Sequence, residues 1–249
     1  SEYAAGQYEI NLDHIADALA ACDDALLFKR VVRSVALKHG VDATFMSKPF
    51  PEQAGSGMHI HLSLLDRDGG NVFASDDPAG TPVLGHAIAG LMETMGESMA
   101  FFAQNQNAFR RFQPKSYVPH APTWAVNNRS SALRVPAGPA KDRRVEHRVA
   151  GACSNPYLVL AAVLAGVDYG LERRLDPGPP ITGNAYAQVE EELTSSWIVA
   201  LDQLDRSDFL REYFGSRFVD VYVELKWAER DKFFSLITPA EYEWYMGKL

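Results

Sequence analysis

Arg143-Arg144-Val145-Glu146-His147-Arg148 is written for a strand: side chains that alternate across a pleat put Arg144, Glu146 and Arg148 on one face and Val145, His147 and Val149 on the other. The second face is expected to lie on the core. The first sets one carboxylate between two guanidiniums, which favours its charged form and readies it for a hard cation. Outward from that stretch, residues 127–148 gather five arginines and one lysine in a chain of net charge -8. Arginine is the fork that grips phosphate and carboxylate, and Arg129, Arg134, Arg144 and Arg148 outnumber the acids beside them. This reads as an anion-binding site. The competing reading is a ladder of surface ion pairs, each contributing roughly 0–1 kcal/mol.

A second dense spot is Gly55-Ser56-Gly57-Met58-His59-Ile60-His61-Leu62-Ser63, which follows a proline-bearing loop at residues 48–52. Alternation puts His59, His61 and Ser63 on one face and Ile60, Leu62 and Leu64 on the other. Two histidines at i and i+2 after a Gly-Ser-Gly entry suit a metal ligand next to a nucleotide contact. No cysteine or third histidine nearby completes a zinc set.

Composition bounds the rest. A chain of 249 residues, 47% hydrophobic and 11% aromatic, can bury the core of one large or two small domains and is not generally disordered. Cys22 and Cys153 stand far apart without CxxC spacing, so they announce neither a disulfide framework nor a zinc knuckle. No apolar run reaches the roughly 18 residues of a membrane span, and Ser1-Glu2-Tyr3 begins no basic, then apolar, leader. The expectation is a soluble, cytoplasmic protein without a membrane partner. An acidic balance, with arginines confined to one segment that lacks interleaved aromatics, argues against nucleic acid and for small anions.

Along the chain, periodicity predicts a helix over residues 13–39 with a possible break at Asp23-Asp24 and a stop at Gly40, then a strand over 41–49. A turn at 66–70 precedes a long helix over 82–106, and a loop over 113–123 carries three prolines. Residues 155–171 are apolar nearly all round, which predicts a core helix ended before 177–180. Three more helices are predicted over 190–213, 218–234 and 239–246. Polar-faced strands backed by apolar helices give an α+β architecture.

Four blocks, in order, resemble the catalytic region of glutamine synthetases and related glutamate-amine ligases. They are Glu2 with Gly6-Gln7-Tyr8-Glu9; Gly55 to Ser63 as quoted; Asn128-Arg129-Ser130-Ser131-Ala132-Leu133-Arg134-Val135-Pro136; and Arg143 to Arg148 with Asn155-Pro156-Tyr157-Leu158. The resemblance runs nearly end to end, and four ordered blocks are far more specific than any lone motif. It implies a glutamine synthetase/guanido kinase-like fold, an antiparallel sheet backed by helices. Residues 1–249 would then be the C-terminal portion of the catalytic domain. The family's N-terminal β-grasp region and first catalytic strands, with two further metal-ligating glutamates and an acidic residue reaching in from a neighbouring subunit, would lie outside these residues. The chain alone is therefore expected to be an inactive catalytic fragment of a homo-oligomeric enzyme.

The same resemblance implies roles. Glu2 and Glu9 look like ligands of one Mg2+ or Mn2+ ion and His59 and Glu146 of another, two or more ions per site. Since an odd offset of seven places Glu2 and Glu9 on opposite faces of a regular strand, Gly6 is expected to make a bulge or turn. Arg111 and Arg148, with the backbone of Gly55, look like the grips for glutamate. Arg129, Arg134, Lys141 and Arg144 look like phosphate contacts of ATP, with Arg129 and Arg134 catalytic, and His61 and Ser63 like adenine nucleotide contacts. Where ammonia-using members carry a flap glutamate six residues after the Arg111 equivalent, this chain has Tyr117, and Ala54 replaces the usual asparagine before Gly55. The implied reaction, in nitrogen metabolism, joins ammonia or an amine to the γ-carboxylate of glutamate through γ-glutamyl phosphate. No Walker A pattern occurs, which suits a fold that holds phosphates with side chains and metals. The alternatives are a non-catalytic relative using the scaffold for interaction and an unrelated phosphotransferase of guanido-kinase type. The first predicts decay of ligands that are all present; the second leaves the His59 block unexplained.

Overall fold

The computed structural model describes residues 2–112, 118–188 and 193–247. Its centre is a four-stranded sheet of short strands, β1 (Ile60–Leu62), β2 (Trp124–Val126), β3 (Leu133–Val135) and β4 (Val145–His147), in the order β1-β4-β3-β2. The architecture is α+β. The expected antiparallel pairing holds for β1 with β4 and for β3 with β4, but β2 runs parallel to β3, so the sheet is mixed. Parallel strands ordinarily need a crossover of a dozen or more residues. Here residues 127–132 suffice because Asn127 adopts φ 49° and the Asn128 side chain accepts from Ser130 N at 3.0 Å, curling the link back on itself.

The inner face of β4 follows its sequence pattern: Val145, His147 and Val149 are all buried. His147 packs its ring on Phe102 at 4.5 Å, and neither ring nitrogen finds a hydrogen-bond partner among the described residues. Burial, followed by the charge of nearby His59, pushes its pKa down to about 3, so it is a neutral core residue.

The helices depart from the periodic pattern wherever a local cap competes. Helix α1 (Ala18–Lys38) begins later than expected because Asp17 accepts from Leu19 N and Ala20 N, each at 3.0 Å. It does not break at Asp23, whose carboxylate takes the Tyr157 hydroxyl; Gly40, at φ 72°, turns the chain away after it. Residues 41–49 form no strand, since no neighbouring strand offers them a ladder among the described residues. The long helix predicted over 82–106 is instead α2 (Pro82–Glu93), α3 (Met99–Phe102) and, one turn further on, α4 (Gln106–Phe109). Extended Ala103 separates the last two, and Asn105 restarts the helix by accepting from Ala108 N at 3.0 Å. Core helix α5 (Pro156–Arg173) lies against α2 with backbones in contact: a Cβ on Gly90 would fall 2.1 Å from Gly166 O. The helix predicted over 190–213 is split into α6 (Trp197–Asp205) and α7 (Asp208–Phe214), because Ser207 caps the second at Leu210 N, 2.9 Å. Helices α8 (Ser216–Phe234) and α9 (Pro239–Tyr245) follow their predicted spans. Among the described residues no helix is long and apolar enough to cross a membrane.

Candidate active site

The register of the sheet assembles the site. Glu146 on β4 lies directly across from His61 on β1 and from Arg134 on β3, so one carboxylate is flanked on both sides by functional groups. Its Oε2 accepts from Arg134 Nε in a short contact, and its Oε1 accepts from Arg148 Nη1 at 2.7 Å and meets His59 Nδ1 at 3.1 Å. His61 Nε2 stands 3.9 Å away. Glu146 is only 1% exposed, which rules out a ladder of surface ion pairs: both faces of β4 are buried, one by core and one by charge. Burial alone would raise the pKa of the Glu146 carboxyl. The hydrogen bond with His59, then Arg148 and Arg134, outweigh it and hold the group well below the usual carboxylate range.

For His61 burial prevails instead: it lowers the pKa of the imidazole against the pull of Glu146, and Arg144 Nε donates to its Nδ1 at 3.0 Å. Arg144 is braced by a second bond, Nη1 to Asp142 O at 3.1 Å. Lys141 is exposed in a three-residue 3-10 turn, Ala140–Asp142, just before that arginine. Arg129 is exposed on the β2–β3 link, which Asn128 ties down through Nδ2 to Gly183 O at 2.6 Å. Ser63 is half-buried just past β1.

Arg111 is 3% exposed, donates from Nη1 to Val149 O at 3.0 Å, and leaves its Nε without a partner among the described residues. Among the described residues no carboxylate lies within ion-pair distance of it. Burial brings its pKa down to about 10, against the pull of Cys153 and helped by Arg148, so it stays charged at neutral pH. A buried cation without a counter-charge is costly unless an anionic ligand supplies one. Glycines make the room for it: a Cβ would fall 2.8 Å from Arg111 Cγ if placed on Gly55 and 2.9 Å from Nη2 if placed on Gly57.

The predicted metal ligands divide into two groups. His59 and Glu146 converge, an imidazole nitrogen and a carboxylate oxygen that fit two positions around a hard or borderline divalent cation. Glu2 and Glu9 are exposed in a segment without helix or strand, and among the described residues no three histidine, cysteine or acidic side chains come together. The turn expected at Gly6 is present: Gly6 has φ 73° and Glu2 N donates to Gln7 O at 2.8 Å. Gln7 then docks this segment on the Gly55 loop, donating to Gly55 O at 3.1 Å and to Ser56 Oγ at 3.2 Å. Tyr117 lies outside the described residues. Two residues near the site, Asn71 and Arg143, carried no assignment from sequence. Asn71 reads as an ordinary turn residue, and Arg143, taken by its charge, merges with the anion grips.

Comparison with known proteins adds an independent line. Residues 1–245 match the family model described as "Glutamine synthetase, catalytic domain". The chain is 46% identical over 246 residues to gamma-glutamylputrescine synthetase PuuA of Escherichia coli (strain K12), covering 99% of this chain and 52% of that protein. It is 38% identical over 240 residues to a glutamine synthetase of Sulfolobus acidocaldarius, covering 90% of this chain and 50% of that one. Among solved structures, ligand-free GmaS superposes with a TM-score of 0.84 at 31% identity, over 93% of this chain and 54% of GmaS. The chain thus spans about half the length of the curated relatives it matches.

Proposed function

The chain belongs to the glutamine synthetase family, and from that premise we propose that the protein is an ATP-dependent ligase that joins an amine or ammonia to the γ-carboxylate of glutamate through γ-glutamyl phosphate. The observation that carries the reading is the pairing of two buried charge centres. Glu146 is over-supplied with positive partners, and among the described residues Arg111 has no negative one. Such a site is matched to an anionic substrate together with cations, and both are what phosphorylation of a carboxylate requires.

In this reading Arg111 and Arg148, with the backbone of Gly55, orient glutamate. Arg148 can serve twice, since only its Nη1 is engaged by Glu146 and its Nε has no partner among the described residues. Arg134 and Arg129 face the phosphoryl group in transfer, Lys141 and Arg144 the remaining phosphates, and His61 and Ser63 the nucleotide. His59 and Glu146 would hold one Mg2+ or Mn2+ ion, and Glu2 and Glu9 another; such ions supply charge neutralisation at the phosphates. The arginines act with them because the reacting oxygens carry most of the charge and little covalent assistance is needed from protein. Residues 1–249 form the C-terminal portion of the catalytic domain within a homo-oligomer, a reading supported by the apolar side chains left exposed on α1, α8 and α9, Leu19, Val31, Leu225 and Trp244 among them. The decisive experiment is binding of Mn-ATP by the full-length protein together with glutamate-dependent release of ADP. Nucleotide binding without any glutamate dependence, across all acceptors tried, would remove the ligase assignment.

Two expected results follow from particular residues. Residues 1–249 purified alone should release no ADP in a glutamate-dependent way, because the chain spans about half the length of its relatives and, among the described residues, no three metal-ligating side chains come together. Phosphoryl transfer depends on every cation being placed. Turnover by that polypeptide in the absence of any longer chain would refute this.

The acceptor is proposed to be an organic amine rather than ammonia. Tyr117 stands where ammonia-using members carry a flap glutamate, and it is neutral at pH 7. An aromatic face attracts an alkylammonium by roughly 0.5–2 kcal/mol, a factor of about 2 to 30, and also packs on its methylenes. The higher identity to a gamma-glutamylputrescine synthetase, 46% against 38% for a glutamine synthetase, supports the same choice. Steady-state kinetics with putrescine, ethanolamine, isopropylamine and ammonia should give the highest kcat/KM to one of the three organic amines. Ammonia equalling or exceeding all three would rule it out.

A further inference from the structure

We infer that Asn71 is a positioning residue for the nucleotide half of the site, fixing the turn that carries Lys141 and Arg144 against the strand that carries His61. The inference rests on the nucleotide role proposed above for those residues. The geometry is a clamp with every arm in use. Asn71 Nδ2 donates to Lys141 O at 3.0 Å and to Arg143 O at 2.8 Å, while Oδ1 accepts from Phe73 N at 3.0 Å. The two carbonyls it holds lie on either side of Asp142, so one amide group sets the path of the backbone from Lys141 to Arg144.

What lies behind the clamp is tied to the hairpin and the core. Val72 N donates to Leu64 O at 2.9 Å, continuing the hairpin from β1, and Phe73 is fully buried in the core. Thr81 Oγ1 donates to Val72 O at 2.8 Å and caps α2. On the other side, the turn bearing Lys141 is exposed and short, held internally by Asp142 N to Pro139 O at 3.0 Å and Arg143 N to Ala140 O at 3.2 Å. A second tie runs the same way: Arg143 is buried, turns from the anion grips, and donates from Nη2 to Ser75 O at 2.9 Å. Arg143 is thus a strut for the loop, and Asn71 is the joint that meets it. The Arg144 contact with His61 at 3.0 Å spans the two segments that the clamp ties together. Asparagine is the residue the joint requires, since the carbonyls need two donors and aspartate supplies none.

The test uses the full-length protein and reads affinity for Mn-ATP by calorimetry without glutamate, so it stands whether or not the ligase assignment does. Asn71→Ala removes the clamp. Asn71→Asp keeps the acceptor for Phe73 N, while its second oxygen, an acceptor bearing negative charge, replaces the two donors and faces both carbonyls, so it stays informative if the alanine variant fails to fold. Both are expected to weaken Mn-ATP binding about tenfold, in line with the loss from misplacing binding groups by a fraction of an ångström to an ångström. The KM for glutamate is expected to stay within threefold, because Arg111 and Arg148 are not held by this turn. Thr94→Val, which removes a buried hydrogen bond to Gly90 O on the far end of α2, serves as the control for destabilisation without a positioning role. If Asn71 only props the fold, its aspartate variant will resemble the control, with a lower thermal midpoint and Mn-ATP affinity within threefold of the parent. That result overturns the inference.

Discussion

Replacing Glu146 by glutamine in the full-length protein is expected to lower kcat/KM by about a thousandfold or more, the scale of losing a charged group that places a catalytic cation. Glutamine is the informative choice. Alanine would leave Arg134, Arg148 and His59 facing one another around a hole, and a buried pair broken from one side costs about 3–5 kcal/mol. Glutamine keeps the volume and one acceptor oxygen but turns an N–H toward a guanidinium, so part of that loss remains. For a chain of this size a few kcal/mol corresponds to a fall in Tm on the order of 10 °C. Kinetics are therefore compared well below the midpoint of the variant. Metal-dependent turnover close to that of the parent would sink the ligand role. If turnover is lost while Mn2+ binding is unchanged, Glu146 serves to orient Arg134 and Arg148 and does not ligate the ion.

That experiment also separates what alternation could reveal from what only pairing could. The strand reading of residues 144–148 correctly set Val145, His147 and Val149 on the core, because period-two alternation is a property of the segment itself. The burial of Glu146 was not legible that way. It arises from β1 and β3 bringing His61 and Arg134 alongside, two contacts distant in sequence. The helix predicted over 82–106 departs from its span for a related reason. Residues 82–106 are apolar with helical period throughout, yet Asn105 offers its side chain to Ala108 N and restarts the chain, a local competition that hydrophobic pattern does not register. Residues 41–49 show the converse: alternation is present and no ladder forms, since a strand is completed by its neighbours. Of the site, the charged groups that alternate or cluster were readable. The uncharged residues that hold them, Asn71 and Gln7 above all, were not, because an amide in a turn looks the same whether it clamps two carbonyls or faces water.

The glycines around Arg111 give the sharpest test of how the substrate half is built, and Gly57→Ala is expected to raise the KM for glutamate and lower kcat/KM by about a hundredfold. A methyl on Gly57 would fall 2.9 Å from Arg111 Nη2 and 3.3 Å from His59 Nε2, touching the proposed glutamate grip and the proposed metal ligand at once. Nothing in the backbone forbids alanine there, for Gly57 is not among the residues with positive φ. The effect is therefore one of space. An exposed arginine would swing aside at little cost, but this guanidinium is buried and donates to Val149 O at 3.0 Å, so it moves only by giving up that bond. Gly151→Ala is a poorer probe: its methyl would fall 2.3 Å from Ser47 Oγ, a buried group, and would disturb folding before it disturbed binding. Gly138, with nothing within 4 Å of the added carbon, supplies the control and should change kcat/KM less than twofold. The expected signature is a rise in the KM for glutamate that exceeds any loss of Mn-ATP affinity, because the added methyl meets buried Arg111 Nη2 at 2.9 Å and His59 Nε2 only at 3.3 Å. If Gly57→Ala binds and turns over glutamate like the parent, Arg111 does not hold the substrate from the position seen here, and the carboxylate grip must then be sought in Arg148 alone.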